Sequence, residues 1–342
     1  MQGIRRKNVP IILWLFSGCF LIFTMVIVGG ITRLTGSGLS MVDWNLFMGA
    51  IPPLNYQEWV EAFNQYKQYP EYQERNFMYS LADFKKIFFW EYLHRVLGRF
   101  IGLVFIIPYL YFIIRKRFTK KLLIQSTILL AMGSLQAFFG WWMVKSGLVD
   151  RPDVSHLRLA THLITAFLTF SYTFWVFLTL IMPEKAHSNK TLYKTSIILF
   201  FILIVQIIYG AFVAGLDAGH IYNTWPKMYD KWVAESVYAM TPFWENFIYG
   251  MSGVQFIHRY LTLAIGLIVA YMYIKSRKNE LLNIEKYAIN SLSIIVLLQI
   301  VLGIYTLTNG VPIWLGVIHQ LGAFFLLGTT VFCLFIFKKT NL

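Results

Sequence analysis

Cysteine and charge are both scarce in this chain. Its 342 residues include two cysteines, Cys19 and Cys333, each inside an apolar run. A lone pair of thiols in such runs excludes a disulfide framework and any cysteine-built metal centre, and both read as packing residues. Charged side chains make up 13% of the chain, 16 acidic against 30 basic, which is too few to solvate a globular surface of this size. Hydrophobic residues make up 57% and aromatic ones 18%, and the mean hydropathy is +0.58. Apolar runs of about 20 residues, the length that crosses a hydrocarbon layer, recur along the whole chain. This is the composition of an integral membrane protein. The net charge of +14 does not imply a nucleic-acid partner, because the basic residues lie in short clusters between apolar runs rather than along a polar face.

Eight spans are expected, about Ile11 to Ile31, Ile87 to Ile114, Leu122 to Val144, Leu157 to Met182, Thr195 to Val213, Met251 to Ile274, Tyr287 to Leu307 and Ile313 to Phe337. The first run ends in GGITRLTGSG without a small-x-small cleavage site, so it reads as a retained span. The lack of an Arg- and Ser-rich amphipathic leader favours a bacterial inner membrane. Basic residues alternate between connections: Arg5, Arg6 and Lys7; Arg115, Lys116, Arg117, Lys120 and Lys121; Lys185, Lys190 and Lys194; Lys275, Arg277, Lys278 and Lys286; Lys338 and Lys339. By the positive-inside rule these mark the cytoplasmic side, with both termini. The connections of roughly Thr35 to Lys86, Lys145 to His156 and Gly215 to Gly250 then lie outside.

Within the first outer connection, Trp59, Val60, Phe63 and Tyr66 fall on one face of a helix, which would lie on the membrane or act as a lid, and Asn55 with Glu58 resembles a capping box. Ser80 with Asp83 is a second cap, placing Lys85 and Lys86 where they would reach the headgroups.

The two halves repeat each other. Gly29, Gly38 and Trp44 have the spacing of Gly210, Gly219 and Trp225; His94-Arg95 with Gly102 matches His258-Arg259 with Gly266; Gln136 and Gly140 match Gln299 and Gly303; His162, Ala166 and Phe167 match His319, Ala323 and Phe324. Four matches in register argue for a duplicated four-helix unit. The expected architecture is an all-α membrane protein of two pseudo-symmetric four-helix bundles. Residues 1–182 form the first half, 183–194 a cytoplasmic linker and 195–342 the second half.

Four of the seven histidines, His94, His162, His258 and His319, lie one in each even-numbered span at a shared depth. Two imidazoles per half at one level suit bis-imidazole ligation of a metallocofactor between helices. The residue four on from each is Gly98, Ala166, Thr262 or Ala323, small enough for a flat macrocycle to approach, so haem is the cofactor that fits best. Zinc prefers three or four converging ligands. The plainer alternative for any one histidine is a polar contact to a neighbouring helix. His156, His187 and His220 read as surface residues, with His220 closest in sequence to the repeated pattern. Arg95 and Arg259, with Arg33 and Arg158 at the outer edge, could pair with haem propionates or reach for headgroups.

The halves differ three residues before the first histidine, where Glu91 in one faces Gln255 in the other. A carboxylate in a dry site can hold or move a proton or stabilise developing positive charge. A salt bridge to Arg95 or Arg99 is the structural alternative. The first half therefore reads as the reaction site and the second as a permanent cofactor site.

The segments GGITRLTGSGLSMVDW, EYLHRVLGR, RLATHLITAF, QFIHR and LGVIHQLGA, in eight spans, together resemble the haem A synthase family over essentially the whole chain. The long first outer connection is similar to the mitochondrial and Gram-negative branch, and the chain lacks the outer-loop cysteine pairs of other members. The resemblance implies oxidation of the C8 methyl of haem O to a formyl group through an alcohol, with water as the oxygen source, for cytochrome c oxidase biogenesis. It makes His94 and His162 the residues that flank the substrate haem iron, His258 and His319 the ligands of a resident haem b, and Glu91 the catalytic carboxylate. Arg95 and Arg259 would help hold the cofactors. The partners implied are membrane lipid, the farnesyltransferase that makes haem O, an electron acceptor and oxidase assembly factors; a homo-oligomer is compatible with it. Competing readings are a di-haem electron-transfer cytochrome and a haem transporter or assembly factor without chemistry.

Overall fold

The computed structural model describes residues 2–42, 51–149, 152–182 and 189–338. Eight of its helices are long and apolar enough to cross a membrane: α1 (Gln2–Leu34), α4 (Leu81–Ile114), α5 (Lys120–Lys145), α6 (His156–Ile181), α7 (Lys190–Gly215), α8 (Met251–Arg277), α9 (Asn283–Thr308) and α10 (Ile313–Phe337). Two shorter helices, α2 (Tyr56–Tyr66) and α3 (Pro70–Glu74), lie in the connection between α1 and α4. The chain is a multi-pass, all-α membrane protein, with no β-strand among the described elements. Exposed Leu267, Leu297, Leu298 and Val301 on α8 and α9 would cause aggregation in water and suit a lipid-facing surface.

The eight spans lie where the apolar runs place them, and three of the helices start before their runs because a side chain caps them. Asn189 accepts a hydrogen bond from the backbone N–H of Leu192, Thr119 from that of Leu122, and Ser80 and Asp83 form the expected cap, a full capping box that starts α4 at Leu81, before the apolar run at Ile87. Such a cap stabilises a helix end by about 1 kcal/mol.

The chain divides into two compact units, Leu21–Ala166 and Met1–Phe20 with Phe167–Leu342. In the second, α7 packs on α8 and α10, and α9 on α8 and α10, closing a four-helix ring. In the first, α4 packs on α5 and carries α2 above its start. Phe63 and Tyr66 of α2 are buried against Phe84, Ile87 and Phe88, with Trp59 at the edge. Val60 does not join them. It turns to an open groove with Glu61 and Asn64, and Ala62 takes its place against the cluster. Lys85 and Lys86 also fold back, Lys85 over the Trp59 ring at 4.9 Å and Lys86 onto Asp83 at 3.0 Å. The Asn55 cap is present, but Glu58 reaches the N–H of Leu54, one residue before the cap.

Below α2, the Tyr66 hydroxyl donates to Glu71 at 3.0 Å and accepts from Asn76 at 2.7 Å. Both Tyr66 and Glu71 are buried. Burial pushes the Glu71 carboxyl up to about 8; the Tyr66 hydrogen bond opposes this, Glu91 and Asp153 reinforce it, and Arg75 opposes it. Arg75 is itself paired with Asp153 at 2.6 Å. The folded state thus keeps a proton that the unfolded chain loses near the ordinary carboxylate pKa. Stability falls as pH rises from that value to about 8 and is level above it. Amide exchange over residues 66–76, corrected for its chemical rate, is expected to be faster at pH 9 than at pH 6, and Glu71→Gln to remove most of the difference.

Candidate functional site

In the second unit, α8 and α10 bring His258 and His319 together, their ring centres 6.4 Å apart and their planes at 85°. Two imidazole nitrogens bonded at about 2 Å to one metal ion would set their ring centres about 6 Å apart, so the spacing would accommodate one metal ion held by both rings. Among the described residues, no three His, Cys, Asp or Glu converge as a metal-binding group. A pair of imidazoles suits a metal whose remaining ligands come from a macrocycle. Nδ1 of His258 is buried without a hydrogen-bond partner, which leaves its donor capacity open.

Each ring lies against a glycine. An ideal Cβ on Gly303 would be 2.8 Å from Cε1 of His319, and one on Gly210 would be 3.1 Å from Cε1 of His258. The amide nitrogen of Gln299 is 3.2 Å from His319 Nδ1 and donates to the backbone carbonyl of the same residue at 2.9 Å.

The first unit repeats these contacts. A Cβ on Gly140 would be 3.1 Å from Cε1 of His162, and one on Gly29 would be 3.4 Å from Nε2 of His94. The amide nitrogen of Gln136 is 3.2 Å from His162 Nδ1 and donates to its backbone carbonyl at 3.1 Å. His94 lies within electrostatic reach of His162.

The two arginines also correspond. Arg95 donates to the carbonyl of Met41 at 2.7 Å and Arg259 to that of Tyr222 at 2.5 Å, each three residues after the repeated Gly38 or Gly219. Arg259 further donates to Lys227. Both guanidinium groups therefore pin the connection that follows the first span of their half, a role that neither propionate pairing nor headgroup contact foretells.

At the divergent position the chemistry inverts. Gln255 donates to the carbonyls of Ala218 at 2.8 Å and Tyr222 at 3.3 Å. Glu91 instead accepts, from Ser40 Oγ at 2.7 Å, the Met41 N–H at 2.8 Å and Arg95 at 2.5 Å. Glu91 is 3% exposed and its carboxylate is ringed by donors, so Arg95 is the ion-pair partner that the sequence had offered beside Arg99. Ser40 was not singled out in the sequence. Its signal lay in the GSGLS segment, whose backbone returns over α4. Gln206 was also missed, although Gln206 and Gly210 repeat the Gln-x-x-x-Gly spacing of α5 and α9.

The remaining candidates lie apart from this chemistry. Arg158 stacks on Trp142 at 4.5 Å and donates to its carbonyl. His220 is exposed in a short 3-10 turn, Ala218–His220, and His156 is buried at the start of α6. Trp44, His187, Lys185 and Lys339 lie outside the described residues, as do the side chains of Arg5, Arg6 and Lys7.

Comparison with known proteins places these observations in a family. The model for the cytochrome oxidase assembly protein family, COX15-CtaA, matches residues 12–331. The protein named heme A synthase of Flavobacterium psychrophilum is 51% identical over 98% of this chain and 100% of its own length. That of Flavobacterium johnsoniae is 48% identical over 96% and 98%, and that of Nitrosospira multiformis 42% identical over 93% and 90%. With a family model matching nearly the whole chain and relatives up to 51% identical over 98% of it, the chain belongs to the COX15-CtaA cytochrome oxidase assembly protein family.

Proposed function

We propose that this protein is a haem A synthase, which oxidises the C8 methyl of haem O to a formyl group for cytochrome c oxidase. The observation that carries the reading is the chemical difference at one corresponding position of the two histidine sites, Glu91 against Gln255. The names of the relatives support the same activity. Conversion of methyl to formyl with water as the oxygen source releases four electrons and four protons, by way of the alcohol after the first two of each. A resident haem b between His258 and His319 would supply one-electron chemistry that passes those electrons to a separate acceptor.

The chain's own groups take the remaining tasks. His94 and His162 hold the substrate iron and so orient the ring edge. Arg95 neutralises Glu91 and ties it to the Met41 backbone, which keeps the carboxylate in one place in a site of low dielectric. Glu91 is then a fixed acceptor for a proton leaving the reacting carbon or the attacking water. Gln255, a donor to backbone carbonyls, cannot do this, which fits a second site that only carries electrons. The reading further places the protein in a bacterial inner membrane with both termini cytoplasmic, and takes the haem O farnesyltransferase, an electron acceptor and oxidase assembly factors as partners.

The test is expression of the full chain with a haem O source, followed by extraction and chromatography of the haems. Haem A or its hydroxylated precursor is expected. Haems B and O alone, in a protein with intact haem absorbance, would overturn the reading in favour of an electron carrier.

A further inference from the structure

The Gln-x-x-x-Gly elements have no part in the chemistry proposed above, yet they recur beside every span histidine but one. Gln136 and Gly140 on α5 face His162, Gln206 and Gly210 on α7 face His258, and Gln299 and Gly303 on α9 face His319. Residues four apart share a helix face, so glycine and glutamine meet the same histidine from one side. The glycine lets the ring lie close to the neighbouring helix. The amide then bonds to the ring or backbone of that histidine: Gln206 donates to the His258 carbonyl and to the Thr262 hydroxyl, both at 3.0 Å.

The first span departs from this pattern. Gly29 is kept, but the residue four before it is Met25, and its Cε sits 3.5 Å from where a Cβ on Gly98 would lie. Gly98 corresponds to Thr262, four residues after the histidine in each half. A hydrogen-bonded Gln–Thr pair has thus been replaced by an apolar Met–Gly pair, and a thioether is at most a weak acceptor. The His94 ring is also turned differently, with Nε2 rather than Cε1 nearest its glycine.

A second feature concerns the glutamine oxygens. Oε1 of Gln136, Gln206 and Gln299 is in each case buried without a hydrogen-bond partner. When a metal takes Nε2 of an imidazole, Nδ1 must carry the hydrogen and become a donor. At His162 and His319 a turn of the glutamine amide would bring this orphaned oxygen to that donor, in exchange for the bond its nitrogen makes to the histidine carbonyl.

We propose that these glutamines are positioning residues that clamp the histidine of the following span, and that Met25 with Gly98 leaves His94 as the releasable iron ligand of the four. The first half can then take in a haem substrate and let go of the product, while the second half retains its haem. This rests on the haem A synthase reading for the identity of the bound groups, but the clamp is testable without turnover.

The purified full-length protein is mixed with excess apomyoglobin, and transfer of each haem is followed by chromatography of its type. Wild type is expected to release farnesylated haem quickly and haem b slowly. The pair Met25→Gln and Gly98→Thr is expected to slow the fast phase by about 10- to 100-fold, the usual effect of a partner behind a metal ligand, and to shift the low-spin electron paramagnetic resonance signal of the first site. Gln206→Met is expected to speed the slow phase alone, which keeps a readout if the paired variant misfolds. Each comparison is of one haem at one site, so the farnesyl tail cancels. A fast phase unchanged in the loaded paired variant, or a slow phase unchanged by Gln206→Met, would overturn the clamp. Release as expected from a protein that makes no haem A would leave the clamp standing and remove the enzyme reading.

Discussion

Replacing Glu91 with glutamine is expected to lower haem A formation by about 10²- to 10⁴-fold, the range general acid–base groups contribute, while both haems remain bound. The side chain keeps its shape but loses its charge. An amide nitrogen would then face the Ser40 hydroxyl, the Met41 N–H or the Arg95 guanidinium, all of them donors to the native carboxylate, and Arg95 would lose its counter-charge in a buried place. Some local loosening follows from that mismatch. Glu91→Asp separates the two effects, because it restores the charge at a shorter reach and is expected to recover part of the activity if the carboxylate handles a proton. The measurement is haem A per bound haem, with the spectrum as the check on loading. Near-native product from Glu91→Gln would show that the group only pins the Met41 segment.

Removing a ring from the second site is the other large effect. His258→Ala is expected to cut haem b in the purified protein by about tenfold or more, since loss of a ligand costs at least the 10- to 100-fold of losing a partner behind one. It leaves His319 seated against Gly303 and held by Gln299, so the helix ring should persist. Product formation is expected to fall with the haem, because electrons from the first site lose their exit, while haem O still binds between His94 and His162. Extracted haem ratios and the low-spin signal together check this. A di-haem electron carrier predicts instead that neither site forms a new haem in any variant, with His94→Ala and His258→Ala equivalent in kind.

Much of the fold was legible because the bilayer imposes a simple rule. Apolar runs of the right length had to be helices, and caps at Ser80, Thr119 and Asn189 start three of them before the run itself begins. The internal repeat was legible for the same kind of reason: spacing survives in sequence, and Arg95 with Met41 and Arg259 with Tyr222 show the same bond in both halves. The face of α2 was less legible, since periodicity does not say how wide the buried stripe is, and Val60 lies outside it.

The sequence by itself determined a membrane chain of eight apolar helices, a histidine in each even-numbered span, and one acid where the repeat has an amide. These follow from composition, run length and spacing, which are properties of the chain alone. Only the tertiary structure decided what each of those groups touches. It paired Glu91 with Arg95 and returned Ser40 and Met41 to it, set His258 and His319 at 6.4 Å, and put a glycine behind every ring, because the direction of a side chain depends on the helix packed beside it.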